Sequence, residues 1–151
     1  MVKIVIVGDG PERENLVKLY SKLKVSKNVI FVGGIPNYRV PNYLSAADIV
    51  VVPSIVEASS ISVLEAMAMK KAIVASDIPG IREITDYGKN CKLVTPMNSK
   101  ELALGINNLL EHKEKSEELA SLGYEEILKN YTWEKKAKEI EQIYYNALDG
   151  K

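Results

Sequence analysis

The sequence predicts an α/β fold: a single domain with a mostly parallel sheet, helices on both faces and a helical C-terminal third. Three observations lead there. Short β-branched runs alternate with stretches of helical apolar periodicity, the pattern of parallel strands joined by crossover helices. The run Ile49-Val50-Val51-Val52 is apolar without interruption, as a strand buried on both faces requires. Glycine turns, Gly8-Asp9-Gly10 and Gly33-Gly34, close the first two strand-like runs.

Each element follows in order. Lys3-Ile4-Val5-Ile6-Val7 is a strand, and Pro11 opens a helix whose Leu16, Leu19, Tyr20 and Leu23 share one face. Val29-Ile30-Phe31-Val32 is the second strand. A short helix over residues 41–47 delivers Asp48 to the third strand, which Pro53 and Ser54 stop. The next helix starts near Ser59 or Ser60 and carries Glu65. Ala72-Ile73-Val74-Ala75 is the fourth strand and Lys92-Leu93-Val94 a short fifth. Asn98 or Ser99 caps a helix that buries Leu102, Ile106, Leu109 and Leu110, with Glu101 completing a capping box on Asn98. A helix over 116–130 packs through Leu119, Leu122, Ile127 and Leu128. A last one, over 132–148, packs through Ala137, Ile140, Ile143 and Tyr144, with Trp133 as an anchor.

Composition narrows the function. A chain of 151 residues can bury a real core as one domain. Its 20 basic and 20 acidic residues set up no net field toward nucleic acid or an anionic membrane, so a small neutral or anionic ligand fits better. Cys91 is the one cysteine, which excludes an internal disulfide and suits a reducing cytoplasm. No apolar stretch reaches the ~18 to 20 residues of a membrane span. Any peripheral membrane attachment would come from regions outside this sequence. No clustered His and Cys set suggests a metal. His112, Cys91 and Arg39 read as a solvated surface residue, an unactivated thiol and an exposed loop arginine.

In open parallel sheets, ligands bind beyond the carboxyl ends of the strands. Three loops answer that description here, over residues 8–10, 33–38 and 53–62. Gly8 and Gly33 allow backbone to approach a ligand, and the helix start at Ser59 and Ser60 can offer first-turn N–H groups to a phosphate. Glu57 lies before that helix and Glu65 one to two turns inside it, so two carboxylates bracket an anion site. A carboxylate accepts two hydroxyl hydrogen bonds at once, which suits Glu65 to the vicinal hydroxyls of a ribose and leaves Glu57 facing a sugar. That pairing is what a nucleotide sugar needs.

The surrounding residues strengthen this reading. Pro53-Ser54, Glu57, Leu64-Glu65-Ala66-Met67-Ala68 and Ile73-Val74-Ala75-Ser76 resemble the donor-binding signature of the group 1 retaining glycosyltransferases. Gly8-Asp9-Gly10-Pro11, Val32-Gly33, Ala47-Asp48, Pro79 through Glu83, Leu93-Val94 and Tyr131-Thr132-Trp133-Glu134 follow in that family's order. The resemblance covers nearly the whole chain. It implies a Rossmann-like, C-terminal domain of GT-B type that binds a UDP- or GDP-sugar, with no cofactor and no metal. Glu57 is then the candidate catalytic residue, contacting the donor sugar, while Glu65 holds the ribose. The backbone of Ser60, Ile61 and Ser62 faces the diphosphate, and Ile35 lies against the base.

Departures from the family pattern carry their own expectations. Ala58-Ser59-Ser60 stands where the family has Gly-Phe-Gly, so side chains should narrow the space above the helix end. Lys70 replaces a helix-ending glycine, and a left-handed lysine would cost on the order of 1 kcal/mol. Ala72 replaces a proline and Cys91 a turn glycine. A preceding βα unit, with its arginine and lysine, and the family's N-terminal acceptor domain are not among these residues. The resemblance therefore implies that this chain alone does not catalyse transfer at a useful rate. The first and third strands would either pair directly or take a strand from another copy or partner, by homo-oligomerisation or strand exchange.

Other functions fit less well. A non-catalytic nucleotide-sugar-binding or assembly subunit, completed by a partner chain, remains the alternative. A receiver-type signalling domain would need an aspartate at the carboxyl end of a central strand, where this chain has Pro53-Ser54. No residue selects a sugar-nucleotide epimerase.

Overall fold

The structure is a computed structural model that describes residues 2–25 and 27–150; Met1, Ser26 and Lys151, which the one-domain expectation includes, lie outside the described residues. Two compact units make up the chain, Met1–Asn42 and Tyr43–Lys151.

In the first unit, β1 (Ile4–Val7) runs parallel to β2 (Val29–Gly33), with Ile4 opposite Val29 and Ile6 opposite Phe31. The crossover is α1 (Arg13–Lys22), whose Tyr20 meets the Phe31 ring edge-on at 5.5 Å. This helix begins later than Pro11. Asp9 accepts from the Gly10 N–H at 2.8 Å and Gly10 O from the Arg13 N–H at 3.1 Å, so a turn occupies the position expected for the first helical residue. Leu16, Leu19 and Leu23 share a face as their spacing demands, yet that face is exposed. A 3-10 turn (Asn37–Arg39) leads into α2 (Val40–Ala46), which spans the boundary between the units.

The second unit holds the core. β3 (Ile49–Val52), β4 (Ala72–Ser76) and β5 (Lys92–Val94) are parallel, with β4 in the middle and buried throughout. Alternate β4 side chains serve opposite layers, as the two-residue period of a strand requires. Ile73 and Ala75 pack with Val63, Ala66 and Met67 of α3 (Ile61–Ala68) and with Ile81 and Ile84 of α4 (Pro79–Ile84). Ala72 and Val74 pack with Val94, with Leu109 of α5 (Ser99–Glu111) and with Ala120 of α6 (Lys113–Asn130). Each fully buried Val, Ile, Leu or Met contributes about 1.5–3 kcal/mol, so this sheet is where stability is concentrated. Helices on both faces of a parallel sheet are what the alternating pattern predicts.

The helix ends show which local signals held. Ser60 caps α3, its hydroxyl accepting from the Val63 N–H at 3.4 Å. Lys70 does adopt the left-handed conformation, φ 53°, in place of a glycine. Around it the Lys71 N–H reaches Ala66 O at 3.0 Å and the Lys70 N–H reaches Met67 O at 2.9 Å, the paired bonds of a Schellman ending. The Lys71 ammonium continues to Ser45 O and Ala47 O, at 2.8 and 2.9 Å, closing the carbonyl end of α2. Asn98 caps α5 by accepting from the Glu101 N–H at 3.1 Å, but the reciprocal half of the capping box is missing. The Glu101 carboxylate instead accepts from the Asn98 side-chain amide at 3.4 Å, and the neighbouring Thr95 holds its carboxyl below the usual range.

Three elements differ from expectation. α4 is too short for periodicity to reveal. α6 begins at Lys113 rather than Ser116, because His112, at φ −115° and ψ 77°, breaks the chain between α5 and α6 while its Nδ1 sits 2.8 Å from Asn108 O. α7 (Trp133–Leu148) forms as predicted, with Thr132 as its cap, but none of its residues is buried. Ile140, Ile143 and Tyr144 are exposed, and Trp133 is 89% exposed rather than a packing anchor. Periodicity decides that such a face exists; only a neighbouring element decides whether it is covered.

Two stability measurements follow. Lys70→Gly relieves the left-handed strain and should raise the unfolding free energy by about 1 kcal/mol in a urea titration; unchanged or lowered stability would show that the lysine side chain compensates. Cys91 is buried, its thiol donating to Ile73 O at 3.5 Å, and burial pushes its pKa up from 9.0 to about 12. Unfolded chains therefore release this proton first, so the stability it contributes is complete below pH 9 and is lost as pH rises toward 12. Wild type should lose stability relative to Cys91→Ala over that window, and the native thiol should resist alkylation at neutral pH.

Candidate functional site

The strand β3 ends at Val52, and residues 53–60 then turn the chain into α3. Val63, Ala66 and Met67 are fully buried against the sheet, which rotates Ile61, Ser62 and Ala68 to the outside. Glu65 is half-buried and stands one helical turn beyond Ile61 and Ser62 on that same side. Cα–Cβ bonds on a helix tilt toward its N-terminus, so the Glu65 Cβ is directed toward the first turn.

That first turn has donors to spare. The Val63 N–H is taken by Ser60 Oγ and the Leu64 N–H by Ser60 O, at 3.4 and 3.1 Å. The Ile61 and Ser62 N–H groups have no acceptor among the described residues. They lie at the positive end of the helix dipole, facing outward beside exposed side chains, which is an arrangement suited to an anionic oxygen.

Ser60 is fully buried, so the side chain expected to narrow the space above the helix end points inward as a cap. Its contribution toward that space is backbone only. Ser59 and Ala58 are exposed.

Glu57 is half-buried in the loop and accepts a hydrogen bond from the Ser54 hydroxyl at 2.5 Å. Its backbone is held from the other side by α4. A Cβ added at Gly80 would lie 2.3 Å from Glu57 O and 2.6 Å from Ala58 O, distances no side chain tolerates. In the sequence Ser54 and Gly80 appear only as members of the quoted family segments, with no role of their own assigned. For Ser54 a signal existed in the spacing Ser54-x-x-Glu57, which matches the reach of a serine hydroxyl three residues along the chain. For Gly80 no local signal exists, because its constraint comes from a distant loop.

In the first unit, the loops over 8–10 and 33–38 lie side by side at the carboxyl ends of β1 and β2. The Gly8 N–H donates to Gly33 O at 2.9 Å in an isolated antiparallel bridge, and Gly34 lies near the Asp9 Cβ. Both bridging glycines have positive φ, 129° and 83°, and a Cβ on either would meet nothing within 4 Å. Backbone conformation selects glycine there, and the space above stays open. Ile35 is half-buried, and Arg39 is exposed as its loop position predicts.

Elsewhere, Asp77 pairs with Arg82 at 2.7 Å; the Arg82 hydrogen bond holds its carboxyl below the usual range. No group of three or more His, Cys, Asp or Glu among the described residues could hold a metal ion. No described helix is long and apolar enough to cross a membrane.

Comparison with known proteins gives the family and the fold. Residues 1–126 match the family described as glycosyl transferases group 1. An uncharacterized glycosyltransferase of Methanocaldococcus jannaschii is 31% identical over 147 residues, which is 97% of this chain and 38% of the relative. Sucrose-phosphate synthase from Thermosynechococcus elongatus superimposes with a TM-score of 0.88 at 27% identity, over 99% of this chain and 39% of that one. Anabaena HepE, solved in complex with UDP-glucose, gives 0.84 at 27% identity, over 99% of this chain and 41% of its own. The chain thus spans well under half the length of these proteins. It belongs to the glycosyl transferases group 1 family and has the Rossmann-like fold of a C-terminal-type GT-B domain.

Proposed function

We propose that this chain binds the nucleotide diphosphate sugar, a UDP-sugar before others, for a retaining, metal-independent glycosyl transfer. The open face of α3 carries the reading: two amides at the helix start with no acceptor among the described residues, with Glu65 one turn along the same side and Glu57 held in the loop just before. UDP-glucose in the HepE structure supports the choice of nucleotide.

Each group has a distinct task. The Ile61 and Ser62 amides and the dipole behind them hold the diphosphate and stabilise the negative charge that grows on it as the glycosidic bond breaks. Glu65 accepts from both ribose hydroxyls. Glu57 accepts from a sugar hydroxyl and orients the donor for attack from the face the diphosphate leaves. Ser59 borders the sugar. The acceptor, further cations for the diphosphate and transfer itself belong to a longer polypeptide or a partner chain.

Calorimetric titration with UDP, GDP and ADP, free and as sugar conjugates, tests the reading. Hydrogen bonds to a charged group are worth about 1.5–3 kcal/mol, so Glu65→Ala should weaken UDP and UDP-glucose alike by roughly 10- to 150-fold. Glu57→Ala should weaken only the sugar conjugate. Unchanged affinity in Glu65→Ala would remove that residue from the site, and no binding of any nucleotide would end the donor assignment.

A further inference from the structure

We propose that Ser54 is a positioning residue, the group that aims the Glu57 carboxylate and thereby sets how strongly the site prefers a nucleotide sugar over the bare nucleotide. The proposal rests on the donor reading above for its ligand. Its physical basis is independent of that reading.

Glu57 is restrained at both ends. At the backbone, its carbonyl and that of Ala58 lie against Gly80 so closely that a single added carbon would overlap them. At the tip, Ser54 Oγ donates to Oε1 in a partly buried setting. A free glutamate on a loop samples many rotamers, and freezing it on ligand binding costs side-chain entropy. Held in advance, that cost falls on folding instead of binding. The hydroxyl has one proton, and it goes to Oε1. Oε2 therefore stays available as a hydrogen-bond acceptor. The ligand chemistry this selects is a hydroxyl donor fixed in direction, such as one on a hexose ring.

The charge on Glu57 has no other restraint in the described structure. No cation pairs with it, since the ion pairs there involve Asp9, Asp77, Asp86, Glu117 and Glu139. Removal of the Ser54 hydroxyl therefore frees the carboxylate and leaves the α3 amides and Glu65 unchanged.

Five proteins decide it: wild type, Ser54→Ala, Ser54→Thr, Glu57→Ala and the Ser54→Ala/Glu57→Ala double variant, each titrated with UDP and with UDP-glucose. Affinity for UDP should stay within about twofold throughout, while the preference for UDP-glucose over UDP should fall about five- to tenfold in Ser54→Ala and return in Ser54→Thr. Ser54→Ala should add no loss to Glu57→Ala. An intact preference in Ser54→Ala, equal losses for both ligands, or additive losses in the double variant would each overturn the proposal. A second measurement needs no ligand: the two Glu57 Hγ resonances should be well separated in wild type and Ser54→Thr and merge in Ser54→Ala. Equal separation in all three overturns the aiming role. If wild type binds no nucleotide, the donor reading fails by itself, and the Glu57 resonances still judge Ser54.

Discussion

The burial of Val63, Ala66 and Met67 against β4 is the constraint on which the candidate site depends. All three are fully removed from solvent, and they occupy one side of a two-turn helix. With that side committed to the core, helical geometry leaves Ile61, Ser62 and Glu65 on the open side. A rotation of α3 by one residue would bury Glu65 without a partner and expose Met67. Both changes are costly, the first from desolvating a charge and the second from opening the core. Functional side chains are thus held where they are by residues with no chemistry of their own.

Backbone proximity does comparable work in the loop before the helix. Gly80 is the second residue of α4, and α4 is anchored by Ile81 and Ile84 in the same core that holds α3. The loop carrying Glu57 therefore rests on an element fixed by the same apolar cluster. One packed layer places both carboxylate-bearing segments, so damage to that layer should disturb both together. The Ser54 hydrogen bond then acts on the one degree of freedom that packing leaves, the direction of the Glu57 side chain.

The family substitution Ala58-Ser59-Ser60 takes on a different meaning once the cap is seen. Serine at position 60 looks, in sequence, like an extra side chain over the helix end. In the fold it turns inward to the Val63 amide, leaving the Ile61 and Ser62 amides uncovered. Lys70 is a similar case. A lysine in place of the helix-ending glycine is tolerated because the paired Schellman bonds fix the turn, while its neighbour Lys71 closes the end of α2.

Much of this was legible beforehand, for local reasons. Strand positions follow from uninterrupted β-branched runs, the α3 start from a serine before an apolar helical pattern, and the left-handed turn at Lys70 from the residue the family places there. Each signal lies within a few residues of the structure it specifies. What stayed hidden is non-local. The six-residue helix α4 has no period to read, Gly80 answers to a carbonyl in another loop, and the faces of α1 and α7 carry the same apolar spacing as the covered face of α5. By itself the sequence determined which residues share a strand, a helix face or a cap, because those depend on backbone geometry between near neighbours. Only the tertiary structure decided which faces are covered and which backbone Gly80 meets, because those depend on what distant segments bring within a few ångströms.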